Sequence, residues 1–315
     1  MPASSREAIG QRKSLAQYAQ AQKTTGLLII RDGKTLVEHN WPLPAGSDAF
    51  AAVLVRGTAD DGALLEDVAS QQKSVLAILT GIAMDRGLLD IARPMSDFLG
   101  PGWSRADAAR ERAITVRHLL EMTSGLGEAL EFEAPAGTRF FYNTPAYARL
   151  HKVLEIAAGR PLDALTRDWL TGPLAMAESG WRPRPAALAH SSGNAWSFVT
   201  MPRDLAKLGA MVLARGAGVI RPVQLAAIFA SAAANPAYGR LWWRNGGAWL
   251  VDIAGARQEG PLVPGAPSDL VLALGAMGRV LGVAPSLGLV VVRLGQQPPD
   301  ADFRGRFWSL VMDSL

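Results

Sequence analysis

Apolar positions fall into three regimes along the chain. Residues 8–22 have the spacing of a modest helix, and Gly26 to Arg31 then form an apolar, β-branched run. Asp32-Gly33 is a hairpin signal, with Lys34 to His39 as the returning strand and a third short strand expected at Ala51 to Arg56. From Ser70 the grammar becomes helical. Ser74 to Met84 is almost wholly apolar, which predicts a helix buried on all sides, ending at Gly87. Pro and Gly punctuation separates further helices at 115–123, 144–158, 161–170, 202–214 and 222–232. After Asn235-Pro236 strands return, at 238–244, 248–253, 269–276, 278–284 and 288–295, and a helix over 301–314 closes the chain.

Strands at both ends with helices between them imply a discontinuous α/β (α+β) fold. The terminal strands would share one antiparallel sheet flanked by the first and last helices, with an all-helical domain inserted. The expected division is 1–70 plus 235–315 for the sheet domain and 71–234 for the mainly helical insert. A cleft between two such units is a preferred ligand site.

Composition narrows the chemistry. The 315 residues include no cysteine, which removes disulfides, thiolate metal sites and cysteine nucleophiles. The net charge is +4, but the arginines are scattered without a basic run, which argues against nucleic acid as a partner. No apolar run reaches the ~18 residues of a membrane span, and the first 25 residues lack the apolar core of a secretory signal. The expectation is a cytoplasmic protein that needs neither membrane nor nucleic acid.

Of four histidines, none has metal-ligand spacing. His118 reads as a hydrogen-bonded structural residue, and His39, His151 and His190 as surface or capping residues. No G-x-S-x-G elbow occurs; the nearest string, Gly102-Trp103-Ser104-Arg105-Ala106, ends in alanine and follows a turn. No P-loop or dinucleotide fingerprint is present, so neither a metal nor a cofactor is expected.

Ser70-Gln71-Gln72-Lys73 is the single S-x-x-K. It opens the most apolar helix, placing Ser70 at a helix N-terminus, where negative charge is favoured. A spacing of three brings Lys73 beside the serine hydroxyl. Desolvation in such a helix disfavours the ammonium and prepares a neutral amine for proton abstraction. A capping serine with a snorkelling lysine explains the tetrad equally well by itself.

Context decides between the two. The tetrad is followed by Asp85-Arg86-Gly87-Leu88-Leu89-Asp90, then by Ile114-Thr115-Val116-Arg117-His118-Leu119-Leu120-Glu121-Met122-Thr123-Ser124-Gly125-Leu126. The longer string resembles the "ItvrhLLxmTSGL" signature of serine β-lactamase-fold hydrolases, which include class C β-lactamases, DD-peptidases, family VIII carboxylesterases and 6-aminohexanoate-oligomer hydrolases. Pro135 to Thr144 is similar to that family's "PGtxFxYsN" loop, with one extra residue between Pro135 and Gly137. Leu205 to Gly209, Asn235 to Gly239 and Val283 to Val292 extend the resemblance, which covers about residues 25–312.

The resemblance implies Ser70 as the acylated nucleophile, Lys73 as its base and Tyr142 as the proton relay. It implies an oxyanion hole from the N–H groups of Ser70 and Ala276. Two departures stand out. Thr144 occupies the third position of Y-x-N, with Asn143 beside it as a substitute amide donor. The K/H-T-G triad is replaced by Ala273-Leu274-Gly275, followed by Ala276-Met277-Gly278-Arg279, which resembles the "AxGxxGQ" variant of esterase and oligomer-hydrolase members. Gly275 would permit close backbone approach. Without the triad's cation, carboxylated β-lactams and peptidoglycan peptides become poorer candidates. The expected activity is therefore hydrolysis of a small ester or amide. Asn143, Thr144, Gly275, Trp181 and Trp243 are the candidate substrate contacts, and Phe141 and Trp196 are further aromatics for the pocket. A β-lactamase or DD-peptidase is the first alternative, and a catalytically silent binding module on the same fold the second. The sequence leaves the oligomeric state open.

Overall fold

The structure, a computed structural model, describes residues 5–315; residues 1–4 of the expected first segment lie outside the described residues. Twelve strands follow in chain order: β1 (Thr24–Arg31), β2 (Lys34–Asn40), β3 (Val55–Thr58), β4 (Leu64–Asp67), β5 (Gly180–Pro183), β6 (Trp196–Thr200), β7 (Trp243–Arg244), β8 (Trp249–Val251), β9 (Arg257–Glu259), β10 (Val271–Gly275), β11 (Arg279–Ala284) and β12 (Leu289–Gly295). The main sheet has the order β2-β1-β12-β11-β10-β7, with every pair antiparallel. Strands from the two ends of the chain thus meet at β1 and β12, where Leu28 faces Val292 and Ile30 faces Val290.

Alternation sends successive residues of this sheet to opposite faces. A Cβ on Gly282 would run into Trp308 of the closing helix, Phe303–Asp313. On the other face, Leu281 and Val290 sit so close to Gly209 of helix Pro202–Leu213 that a side chain there would collide with them. The first helix, Ser5–Ala21, packs with the closing helix on the outer face and buries Leu15 and Ala19. The expected mixed fold, with an antiparallel sheet between terminal helices and an insert, is what the chain forms.

Three local expectations are corrected. Residues 48–54 are a helix and not the start of a strand, because Phe50 and Leu54, four apart, bury one helical face; the strand begins at Val55. The run 238–244 is mostly a loop, with only Trp243–Arg244 in the sheet, since Gly239 lies against the Ile228 carbonyl of a neighbouring helix. The insert is not all-helical. Its β5 and β6 form a second sheet with the earlier strands, in the order β3-β4-β6-β5. Among the described residues, no helix is long and apolar enough to cross a membrane.

Candidate active site

The buried helix runs from Gln71 to Asp85, with Ser70 as its N-cap. Gln71 through Ala83 are all buried, as the apolar run demands. Polar side chains at the start of the helix are tied to its surroundings: Gln71 Nε2 donates to the Ala273 carbonyl at 3.3 Å, Gln72 Oε1 accepts the Phe198 N–H at 3.0 Å, and Ser74 Oγ donates to the Leu241 carbonyl at 2.7 Å. The Ser70 side chain does not cap its own helix, which leaves its hydroxyl available at the helix N-terminus. The preceding Ala69 has φ +51°, a left-handed backbone in a residue other than glycine, and its N–H is held by Asp67 Oδ1 at 2.8 Å.

Lys73 Nζ donates to Ser70 Oγ at 3.0 Å. The residue is only 2% exposed, and among the described residues no carboxylate pairs with it. Its company is aromatic: Nζ lies 4.8 Å from the ring centre of Tyr142 and 4.9 Å from that of Tyr147. Burial pushes the ammonium down to about 7, and the positive field of Arg184 acts in the same direction. Tyr142 is moved the other way. Burial raises its phenol to about 12, against an opposing hydrogen bond with Ser70. At neutral pH Tyr142 therefore remains a proton donor, while Lys73 titrates.

The last residues of β10 approach this turn closely. A Cβ on Gly275 would lie 2.5 Å from the Val68 carbonyl and 3.2 Å from Gln71 Cγ, so the glycine is required by proximity. Ala276 follows in the short turn between β10 and β11 and, like Ser70, lines a cleft of about 1310 Å³. Lys73, Tyr142, Thr144, Trp181 and Trp196 share that cleft.

Other expected contacts are placed elsewhere. Asn143 is a buried N-cap: Oδ1 accepts the Ala146 N–H at 2.9 Å, and Nδ2 donates to the carbonyls of Leu126 and Gly127 at 2.9 and 2.8 Å. Its amide is thus committed to the protein. Trp243 lies beneath the cleft, stacked on Tyr142 with ring centres 6.1 Å apart. Phe141 carries the Arg139 guanidinium on its ring and is absent from the cleft wall.

Three cleft residues escaped sequence reasoning. His151, expected at the surface or as a cap, is buried; Nε2 pairs with the Tyr147 hydroxyl at 3.1 Å and the ring is tilted against Trp181. Burial, with Arg184 and Lys73 nearby, drives its imidazole down to about 3, so it stays neutral. Its place on helix Thr144–Ala158, seven residues past Thr144 on the same face, was the available signal. Arg184 and Asp67 form a buried bidentate pair, with Nε to Oδ2 at 2.8 Å and Nη2 to Oδ1 at 3.0 Å. No local pattern links residues so far apart in the chain. Among the described residues no cluster of His, Cys, Asp and Glu could hold a metal ion. His118 closes a capping box with Thr115, a structural role, whereas His39 and His190 are exposed.

The same fold occurs in known proteins. Among solved structures, the chain is similar to a β-lactamase from Mycobacterium bovis, with 17% identity and a TM-score of 0.68 over 97% of this chain and 100% of that one. It is also similar to EstCE1, a hydrolase with promiscuous acyltransferase activity, with 18% identity and a TM-score of 0.69 over 98% of each chain. A class C β-lactamase in complex with cefoxitin gives 14% identity and a TM-score of 0.68, again over 98% of each chain. At these identities the likeness establishes the fold. No curated protein sequence matches. The model of the Beta-lactamase family, however, matches residues 12–311, and the chain accordingly belongs to that family.

Proposed function

We propose that the protein is a serine hydrolase that cleaves a small ester or amide through an acyl-enzyme. The 3.0 Å contact between Lys73 Nζ and Ser70 Oγ, made by a buried lysine without a carboxylate partner, carries this reading. Neutral Lys73 takes the hydroxyl proton as Ser70 Oγ attacks the substrate carbonyl carbon. The carbonyl oxygen becomes an oxyanion held by the N–H groups of Ser70 and Ala276. Collapse breaks the bond to the alcohol or amine, which leaves with a proton delivered through Lys73 and Tyr142. Water, deprotonated by the same pair, then attacks the acyl carbon; the second collapse frees Ser70 and releases the carboxylic acid.

Substrate preference follows from β10. The buried Ala273 stands where relatives with the K/H-T-G triad place a cation, so the strand offers no charge to a substrate carboxylate. Trp181 and Trp196 supply apolar surface in the same cleft. Uncharged acyl groups therefore suit the site better than carboxylated β-lactams. No nucleic acid, membrane or bound cofactor enters this mechanism.

Fluorophosphonate labelling read by intact mass tests the nucleophile. Wild type should gain one adduct, and Ser70→Ala none. Equal labelling of both proteins would remove Ser70 from the mechanism. Turnover of p-nitrophenyl butyrate against a chromogenic cephalosporin tests the substrate class. Faster hydrolysis of the cephalosporin would make the β-lactamase reading the correct one, and inertness toward every probe would favour a silent binding module.

A further inference from the structure

Both turns that carry the proposed oxyanion donors contain a strained residue. Ala69, just before Ser70, has φ +51°, and Met277, just after Ala276, has φ +64°. Neither is a glycine, so each conformation persists because its surroundings enforce it. The enforcing groups are buried and charged.

On one side, Asp67 holds the Ala69 N–H and is itself clamped by Arg184. On the other, Arg279 donates through Nη1 to the Ala276 carbonyl at 3.2 Å, while its Nη2 meets Glu66 Oε2 at 2.9 Å. The side chains of Arg279 and Glu66 are both fully buried. Thr25 donates to the remaining Glu66 oxygen, which leaves that carboxylate little freedom. A second arginine reaches the turn as well: Arg293 Nη1 donates to the Met277 carbonyl, Nη2 to the carbonyls of Gln22 and Gln296, and Nε to Thr24. Val280 faces Arg293 across the β11–β12 pair, so by alternation Arg279 and Arg293 come from opposite faces of the sheet. They grip two consecutive carbonyls of one turn.

Glu66 and Asp67 are neighbours at the end of β4, four and three residues before Ser70. A short path therefore joins the two donors: Ala276 carbonyl, Arg279, Glu66, Asp67, Ala69 N–H, Ser70. We infer that Arg279 and Arg293 are positioning residues of the oxyanion hole, with Glu66 anchoring Arg279 to the strand that carries the nucleophile. This rests on the serine-hydrolase reading above. A guanidinium is needed because one planar fork must serve several acceptors together, a carboxylate and a carbonyl at Arg279 and three carbonyls with a hydroxyl at Arg293, which a single ammonium on a flexible stem does poorly. Both arginine side chains are fully buried, so in this reading they act through the turn they hold and not on substrate directly. Their effect should fall on the tetrahedral species, whose oxygen must sit between both N–H groups, and spare ground-state binding.

The test uses Arg279→Lys and Arg293→Lys, which keep a long basic side chain at each position but remove the guanidinium fork. The readouts are melting temperature, KM and kcat for p-nitrophenyl butyrate, and affinity for phenylboronic acid. The boron accepts Ser70 Oγ to form a tetrahedral anion that mimics the reacting centre. Each variant should lose about 10- to 100-fold in kcat and in boronate affinity together, with KM within about threefold of wild type. If one variant does not fold, the other carries the same prediction. Folded variants with unchanged boronate affinity, or with loss confined to melting temperature, overturn the inference while leaving the serine mechanism intact. Wild type that neither binds phenylboronic acid nor accepts fluorophosphonate overturns both.

Discussion

Lys73 and Arg279 line the same cleft, and both are buried, yet they keep opposite company. Arg279 meets a buried carboxylate and a carbonyl, and its charge is fully matched. Lys73 meets a hydroxyl and the faces of two tyrosines, and no carboxylate. A paired buried cation is a fixed strut. An unpaired one is held near its point of deprotonation, because burial, reinforced by the positive field of Arg184, disfavours the ammonium. The same degree of burial thus gives a scaffold in one place and a base in the other, and the partner decides which.

Exchanging Lys73 for a cation that cannot release its proton attacks this contrast most directly. Lys73→Arg keeps the positive charge and removes the base, so acylation by p-nitrophenyl butyrate in single-turnover experiments should slow about 10³-fold or more. In wild type the acylation rate should climb as pH rises through about 7, where the ammonium gives up its proton. Lys73→Arg should lack that limb. A variant with near-wild-type rate and the same limb would place the base elsewhere.

Stability should move in opposite directions at the two sites. Arg279→Met strands Glu66 without its partner and should cost about 3–5 kcal/mol. Lys73→Met relieves an unpaired buried charge and should stabilise by a few kcal/mol, with about 5 kcal/mol as a ceiling. The sign with pH follows from linkage. The folded pKa of Lys73, about 7, lies below its unfolded value, so between the two the unfolded chain binds more protons and wild-type stability rises with pH. The gain from Lys73→Met should therefore be full at and below neutral pH and fade toward pH ~10. Urea titrations at both pH values measure it. A gain that stays constant with pH would mean that packing and not charge explains it.

Sequence reasoning reached one side of this comparison and missed the other for a physical reason. Ser70 and Lys73 lie on one helical turn, and the unbroken apolar run after them announces a desolvated lysine. The main sheet was legible too, since its long strands, β1, β11 and β12, are nearly continuous apolar segments. Glu66, Asp67, Arg184 and Arg293 belong to no motif in the sequence, and Arg279 enters only as the end of the Ala276-Met277-Gly278-Arg279 string. Their pairing spans 213 residues for Arg279 with Glu66 and 117 for Arg184 with Asp67, so no local periodicity reports it. The second sheet was hidden likewise, because β5 and β6 are short and separated by a proline-flanked segment.

Asn143 gives the smallest and most discriminating test of where polar side chains serve structure and where they serve substrate. Its oxygen caps helix Thr144–Ala158, and its amide donates to two loop carbonyls, Leu126 and Gly127, of which Gly127 also accepts the Leu130 N–H. Asn143→Ala should therefore lower stability by about 1–3 kcal/mol, read as a fall in melting temperature. Since the amide has no share in the cleft wall, the ratio of kcat/KM between an amide-bearing acyl ester and a plain butyrate ester should stay within about twofold. Asn143→Asp keeps the capping oxygen but turns a carboxylate toward the Leu126 and Gly127 carbonyls, so it should be no more stable than the alanine variant. A shift in the substrate ratio at constant melting temperature would instead put Asn143 among the groups that read the acyl chain, on the Lys73 side of the comparison.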